Sequence, residues 1–185
     1  MFWSVFLVLL PTGVFALEDA MGLGGWRFPS TAGAWGGVVL FVLGGLLGLT
    51  SGVVMAVQGR GTPLPADCPR ELVVTGPYRY IRNPMAVAGL SQGVAVGIFL
   101  GSPAVIAYAL AGGPIWSWFV RPWEEADLEL RFGESYRRYR NLVRCWLPSF
   151  PGYRPGGQGT TRTKRAHLRG AFQPGVDSLH AARDE

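Results

Sequence analysis

The sequence predicts an all-α fold: a polytopic membrane protein of about four transmembrane helices, closed by a C-terminal helical hairpin with a helical extension into the cytosol. Three observations predict it. Hydrophobic residues make up 49% of the 185 while charged residues make up 16%, well under the usual quarter. The apolar residues lie in blocks and do not alternate with polar ones, which a soluble domain would require. From Asn83 to Val120 the phenol of Tyr108 is the only ionisable side chain, after which Arg121, Glu124, Glu125, Asp127, Glu129 and Arg131 arrive almost together.

The first apolar block, Phe2 to Leu17, contains Pro11 and has no Lys or Arg before it, so it reads as a retained helix in preference to a signal peptide. Glu18 to Ala32 is a polar connection whose Trp26 and Phe28 suit an interface. Ala34 to Val57 is the clearest span, bracketed by Arg27 and Arg60 with no charge between. Its Gly44, Gly45, Gly48 and Gly52 recur at helical spacing and predict a face for close helix packing. In the loop from Gln58 to Arg82, Pro63, Pro65 and Pro69 discourage helix, and Leu72-Val73-Val74 reads as extended.

The uncharged run that follows is too long for one helix. Gly101-Ser102-Pro103 divides it into arms at Met85–Leu100 and Ala104–Val120, and Gly112-Gly113-Pro114 should bend or loosen the second arm. That arm continues as an amphipathic helix to Phe132, where Gly133 stops it. Glu134 to Val143 forms a further short helix with Tyr136 and Tyr139 on one side, and Trp146-Leu147-Pro148 ends the folded part. Residues 1–150 are thus expected to form one membrane domain, with its motifs in 63–148. Residues 151–185 read as a disordered basic tail.

The loop Gln58–Arg82 carries four Arg against Asp67 and Glu71, whereas Glu18–Thr31 carries a net charge of −1. The excess of Arg places that loop, the hairpin ends and both termini in the cytosol of a multi-pass protein of the cell membrane. The overall charge of +5 fits this bias and attraction to anionic headgroups, and is no sign of nucleic-acid binding. Cys68 and Cys145 with the distant His167 and His180 do not make a metal site, and a structural disulfide is not expected in the cytosol. The oligomeric state is left open.

Both polar clusters therefore stand at one end of the hairpin. Tyr78, Arg79, Tyr80, Arg82 and Asn83 bring phenols, guanidinium groups and an amide to a helix beginning at Pro84 and Met85. An Arg beside a Tyr commonly anchors headgroups, and an acidic pair at a helix exit is commonly a solvated face. Glu124 and Glu125 point about 100° apart on a helix, so only one of them can face a given partner. A carboxylate turned into a groove between apolar helices would attract a cation or hold a ribose or an amine.

Taken together, Gly-Pro-Tyr-Arg-Tyr-Ile-Arg-Asn-Pro-Met from Gly76, a two-armed hairpin, and Arg-Pro-x-Glu-Glu-x-x-Leu-x-x-Arg-Phe-Gly-x-x-Tyr-x-x-Tyr from Arg121 carry a resemblance. The chain resembles the isoprenylcysteine carboxyl methyltransferase and phospholipid methyltransferase superfamily, over roughly Pro63 to Pro148. The resemblance implies a small helical membrane enzyme using S-adenosylmethionine on an isoprenoid or lipid-like substrate. It implies that Arg70, Leu72 and Val73 lie along the cofactor, that Tyr78 and the turn Asn83-Pro84-Met85-Ala86 wall its pocket, and that Glu125 completes the site. Arg121 would then face the substrate. An amine acceptor would have to lose a proton first, and Glu124 and Tyr78 are the groups placed to matter for that step. The chain departs from the pattern in having Asn83 where His usually precedes the Pro, Ala86 in place of a Tyr, and Ala88 in place of a Gly. Competing readings are a phospholipid amine N-methyltransferase, a nicotinamide-dependent membrane reductase with a similar hairpin, and a non-catalytic membrane scaffold or binder.

Overall fold

A computed structural model describes residues 4–28, 30–60 and 69–155. Pro63, Pro65, Cys68, His167 and His180, and the tail from residue 156, lie outside the described residues. Among the described residues every regular element is helical. Chain contacts separate Met1–Tyr153 from Arg154–Glu185.

Helix α1 (Leu10–Ala20) is entered through a π turn at Val5–Leu9. The wide turn places Pro11 in the first turn of the α-helical part, where its missing N–H does no harm. Helix α2 (Thr31–Gly59) begins where Ser30 Oγ accepts from the Gly33 N–H at 2.9 Å, a serine N-cap just outside the apolar run. At a rise of 1.5 Å per residue its 29 residues extend about 43 Å, more than the hydrocarbon core of a bilayer. Val39, Leu43, Leu46, Leu49, Val53 and Val57 are all exposed along it. So continuous an unburied apolar face suits lipid and not water.

Helix α3 (Pro84–Leu100) runs antiparallel to α2 and packs closely on it. A Cβ on Gly37 would stand 2.8 Å from Ala95 O, and one on Gly44 would stand 3.0 Å from Gln92 Cγ. Gly45 and Gly48 make ordinary contacts with Gln92 and Ala88. The expected packing face is therefore real for three of its four glycines. Gly52 faces open space, and Gly37, two helical turns before Gly44, extends the face toward the other end.

The break at Gly101-Ser102 is a tight helical turn. Gly101 adopts φ 61° and its N–H returns to Gly97 O and Ile98 O, while Ser102 Oγ caps helix α4 (Pro103–Ile115) by accepting from Val105 N. The arms are in close contact because a Cβ on Gly97 would meet Ile106 Cγ1 at 2.6 Å. Pro114 removes a helical hydrogen bond, and the chain widens into a π turn at Trp116–Val120 before helix α5 (Arg121–Leu142). Gly133 (φ 51°, ψ −125°) kinks α5 into the two pieces expected from the sequence. Thr31–Gly59 and the continuous run Pro103–Leu142 are each long and apolar enough to cross a membrane, and Pro84–Leu100 is a shorter apolar helix.

One expectation needs correction. Packing does not end at Pro148: Ser149 N donates to Tyr80 O and Tyr153 N to Arg79 O, both at 2.8 Å. Phe150 lies 5.7 Å from the Tyr80 ring and Tyr153 packs edge-on against Tyr139 at 5.3 Å. The segment after Pro148 is low in apolar content, but Tyr153 packs half-buried on the Tyr136–Tyr139 cluster, while Phe150 lies beside Tyr80 and stays exposed.

Candidate functional site

The site forms where the entrance to α3 meets the start of α5. Two devices hold the entrance in place. Tyr136 and Tyr139, one helical turn apart on the second piece of α5, are buried with Val143, and the Tyr139 hydroxyl donates to Tyr78 O at 2.6 Å. The chain after α5 also lies along the loop, with Arg82 N donating to Arg144 O at 3.0 Å and Asn83 N to Cys145 O at 3.4 Å. The loop is thus fixed by its backbone, which leaves its side chains available.

Arg82 Nη1 lies 3.2 Å from Glu125 Oε1, and Arg121 Nε lies 3.7 Å from the same oxygen one helical turn away. This joins the two sequence clusters across the hairpin ends, as their common side of the bundle requires. Arg82 and Glu125 side chains are only 14% and 21% exposed, so the pair is poorly screened. The Tyr78 hydroxyl is buried without a hydrogen-bond partner, while Arg82 and Arg121 meet Glu125 as ion pairs whose geometry falls short of a hydrogen bond. Unpaired buried donors are costly unless something else accepts from them.

Electrostatics sharpen the roles of the remaining groups. Burial, assisted by Glu124, pushes the Tyr78 phenol well above its usual range, so it remains a protonated donor. Burial and then the neighbouring Glu125 charge raise Glu124 to about 7. Burial and Glu125 raise Tyr136 to about 12, with Arg82 opposing the rise. Burial raises the Cys145 thiol, against the pull of Arg82 and Arg121. Glu125 is therefore the ion-paired carboxylate and Glu124 the one poised to exchange a proton, a division imposed by their 100° separation on the helix.

The other sequence-selected residues are placed as follows. Asn83 is the N-cap of α3, its Oδ1 accepting from Ala86 N at 3.0 Å, and Pro84 is buried at the first helical position. An imidazole at this position could not cap with a side-chain carbonyl, so asparagine substitutes a helix-starting function for a cationic one. Met85 and Ala86 are half-buried beside it. Val73 is buried and faces Gly59, Leu72 packs on the Tyr136–Tyr139 cluster, and Arg70 is exposed with its N–H on Gly59 O. The sequence had not singled out Arg82 as a site residue. The signal was its position as the last cation before the uncharged stretch from Asn83 to Val120, in which Tyr108 is the only ionisable residue.

Among the described residues no group of His, Cys, Asp and Glu is arranged to hold a metal ion. The donors and acceptors instead match an organic ion carrying both charges. Guanidinium N–H groups would receive a carboxylate, and Glu124 and Glu125 an ammonium, a sulfonium or ribose hydroxyls. S-adenosylmethionine has each of these groups, so the residues present fit it.

No curated protein matches the chain. The family model described as phospholipid methyltransferase matches residues 32–135, which runs from the start of α2 through the motif loop, the hairpin and the first piece of α5. Because that match covers more than half of the 185 residues, this protein belongs to the phospholipid methyltransferase family, a family of membrane-associated methyltransferases.

Proposed function

We propose that the protein transfers a methyl group from S-adenosylmethionine to a lipid-like or isoprenoid acceptor at the cytosolic face of the cell membrane. The observation that carries this reading is the Arg82–Glu125–Arg121 bridge, which joins both motifs at one end of the hairpin. The cofactor supplies a methyl group already activated as a sulfonium. Tyr78, Asn83, Pro84, Met85, Ala86 and Glu125 would wall and bind it, with Arg70, Leu72 and Val73 supporting that wall from the preceding loop. The chain's own work is then to orient the acceptor in line and exclude water. Arg121 would hold an acceptor carboxylate, which is ionised at neutral pH and needs no base.

One observation favours a second reading. A carboxyl group near pH 7 is suited to take a proton from an amine, so Glu124 gives the phospholipid amine N-methyltransferase reading a chemical basis. Calorimetric titration of detergent-purified protein with S-adenosylmethionine tests the common element of both. Micromolar-range binding that disappears in Glu125→Ala is expected. A folded protein without binding would return the reductase and scaffold readings to the front.

A further inference from the structure

Tyr78, Arg82 and Asn83 hang on a short irregular loop. After the 3₁₀ turn Gly76–Arg79 the chain forms no regular element until α3 begins at Pro84. Its backbone groups must therefore find partners elsewhere, and they find them in α5 and the segment that follows it. Tyr78 O accepts from the Tyr139 hydroxyl at 2.6 Å, while Arg79 O accepts from Tyr153 N and Tyr80 O from Ser149 N, both at 2.8 Å. Arg82 N donates to Arg144 O at 3.0 Å and Asn83 N to Cys145 O at 3.4 Å. All of these partners lie beyond residue 135, outside the span that matches the family.

Residues 144–153 form a strap whose path is set at two points. Near its start Arg144 N donates to Ser149 Oγ at 2.9 Å, which turns the chain back over the loop. Near its end Gly152 has φ 87° and lies directly on the loop. A Cβ there would stand 2.8 Å from Tyr80 Cε1 and 3.1 Å from both Arg79 Cγ and Arg79 Nε. The left-handed φ and the close approach both call for glycine, and any side chain at 152 has to push strap and loop apart. Tyr153 follows, its ring edge-on to Tyr139 at 5.3 Å, against the residue whose hydroxyl holds Tyr78.

We infer that the strap, with Gly152 and Tyr153 as its positioning residues, sets the orientation of Tyr78, Arg82 and Asn83 and through them the affinity for the cofactor. Gly152 and Tyr153 act only through the backbone of the loop. A small displacement is enough, because a binding constellation has to be held within about 0.5 Å of its productive geometry. The packing of α2, α3 and α4 does not use the strap, since it rests on the close approaches at Gly37, Gly44 and Gly97. The effect on cofactor affinity rests on the methyltransferase reading, whereas the hold of strap on loop does not.

The test compares the full chain in detergent with its Gly152→Val, Tyr153→Ala and Tyr153→Phe variants. Hydrogen–deuterium exchange read by mass spectrometry needs no ligand. Gly152→Val and Tyr153→Ala should exchange faster at Arg82, Asn83, Ser149 and residue 153, with α2, α3 and the thermal midpoint unchanged. In the same samples S-adenosylmethionine affinity should fall ~10-fold in both, and Tyr153→Phe, which keeps the edge-on ring, should restore it. Unchanged exchange in both variants would overturn the inference, as would a loosened loop that still binds the cofactor fully. Faster exchange spread through α2 and α3 with a lower midpoint would make the strap a general support of the fold, and that too would overturn it. If the unmodified protein binds no S-adenosylmethionine while the variants still loosen the loop, the methyltransferase reading fails and the hold of strap on loop stands.

Discussion

The two ends of the helical bundle each carry a buried ion pair, and they are built on opposite terms. At the hairpin turn Glu18 is 3% exposed and fully engaged: Ser102 Oγ donates to its Oε2 at 2.5 Å and Arg27 Nε lies 3.5 Å away. Arg27 in turn reaches Phe15 O at 3.1 Å, Asp19 at 3.0 Å and the Phe15 ring at 3.6 Å. Phe28 N closes the arrangement by donating to Gly101 O. At the opposite end Arg82 and Arg121 share the single carboxylate of Glu125, and the buried Tyr78 hydroxyl has no hydrogen-bond partner. A closed polar network locks helices together, whereas an open one stores capacity for a ligand. The contrast distinguishes a clamp from the candidate site.

Removing a charge should therefore do different things at the two ends. The largest expected effect is at the clamp. Glu18→Ala should lower stability by about 1–3 kcal/mol, because the buried Ser102 hydroxyl loses its acceptor and Arg27 keeps only Asp19 as a carboxylate partner, and thermal unfolding in detergent would measure it. An unfolding midpoint like that of the unmodified protein would mean that the clamp holds nothing.

Glu125→Ala should give the reverse pattern. S-adenosylmethionine binding is expected to weaken by ~100-fold, with less loss of stability than Glu18→Ala causes, because the Arg82–Glu125 pair is more open to water than Glu18 and the guanidinium groups left behind can be solvated. A stability loss equal to that of Glu18→Ala would erase the distinction between the ends. Tyr78→Phe should sharpen it further. Deleting a buried hydroxyl that has no partner should leave the midpoint unchanged or slightly higher, while cofactor affinity falls ~10-fold if the hydroxyl serves the ligand.

The Glu124 carboxyl gives the site end a pH signature. Its folded value of about 7 stands above the unfolded 4.5, so the folded state binds the proton more tightly. Its contribution to stability is fully present below about pH 4.5, declines as pH rises through the window to about 7, and is constant above it. Glu124→Gln should flatten that part of the stability–pH profile, as denaturation at several pH values would reveal. The smallest effect belongs to the exposed Arg60–Glu71 pair at 3.6 Å, where Glu71→Ala should change stability by no more than about 0.5 kcal/mol.

Much of this was legible in the residues. The two arms and their break at Gly101-Ser102, the loosening at Pro114, the break at Gly133 and the placing of Tyr136 and Tyr139 on one side of the last helix are all local consequences of glycine, proline, capping serine and helical spacing. The meeting of the two motif clusters followed from parity, since the ends of a hairpin must emerge together. The clamp was not legible. Glu18 read as part of a polar connection, because its partner Ser102 lies 84 residues away and serine already had a local reason to be there as a helix cap. The packing of Ser149 to Tyr153 was missed for a related reason. Two aromatic rings in a segment rich in glycine and proline give no periodic signal.

By itself the sequence determined which segments are apolar helices, where each one starts, breaks and bends, and that Arg82, Asn83, Arg121 and Glu125 stand at one end of the hairpin. Those properties depend on side-chain transfer energies and backbone preferences within a few residues. Only the tertiary structure decided which carboxylate is paired and which is left near neutrality, which donors have no acceptor, and which polar cluster is closed. These depend on distances between groups far apart in the chain, set by how closely Gly37, Gly44 and Gly97 let the helices approach.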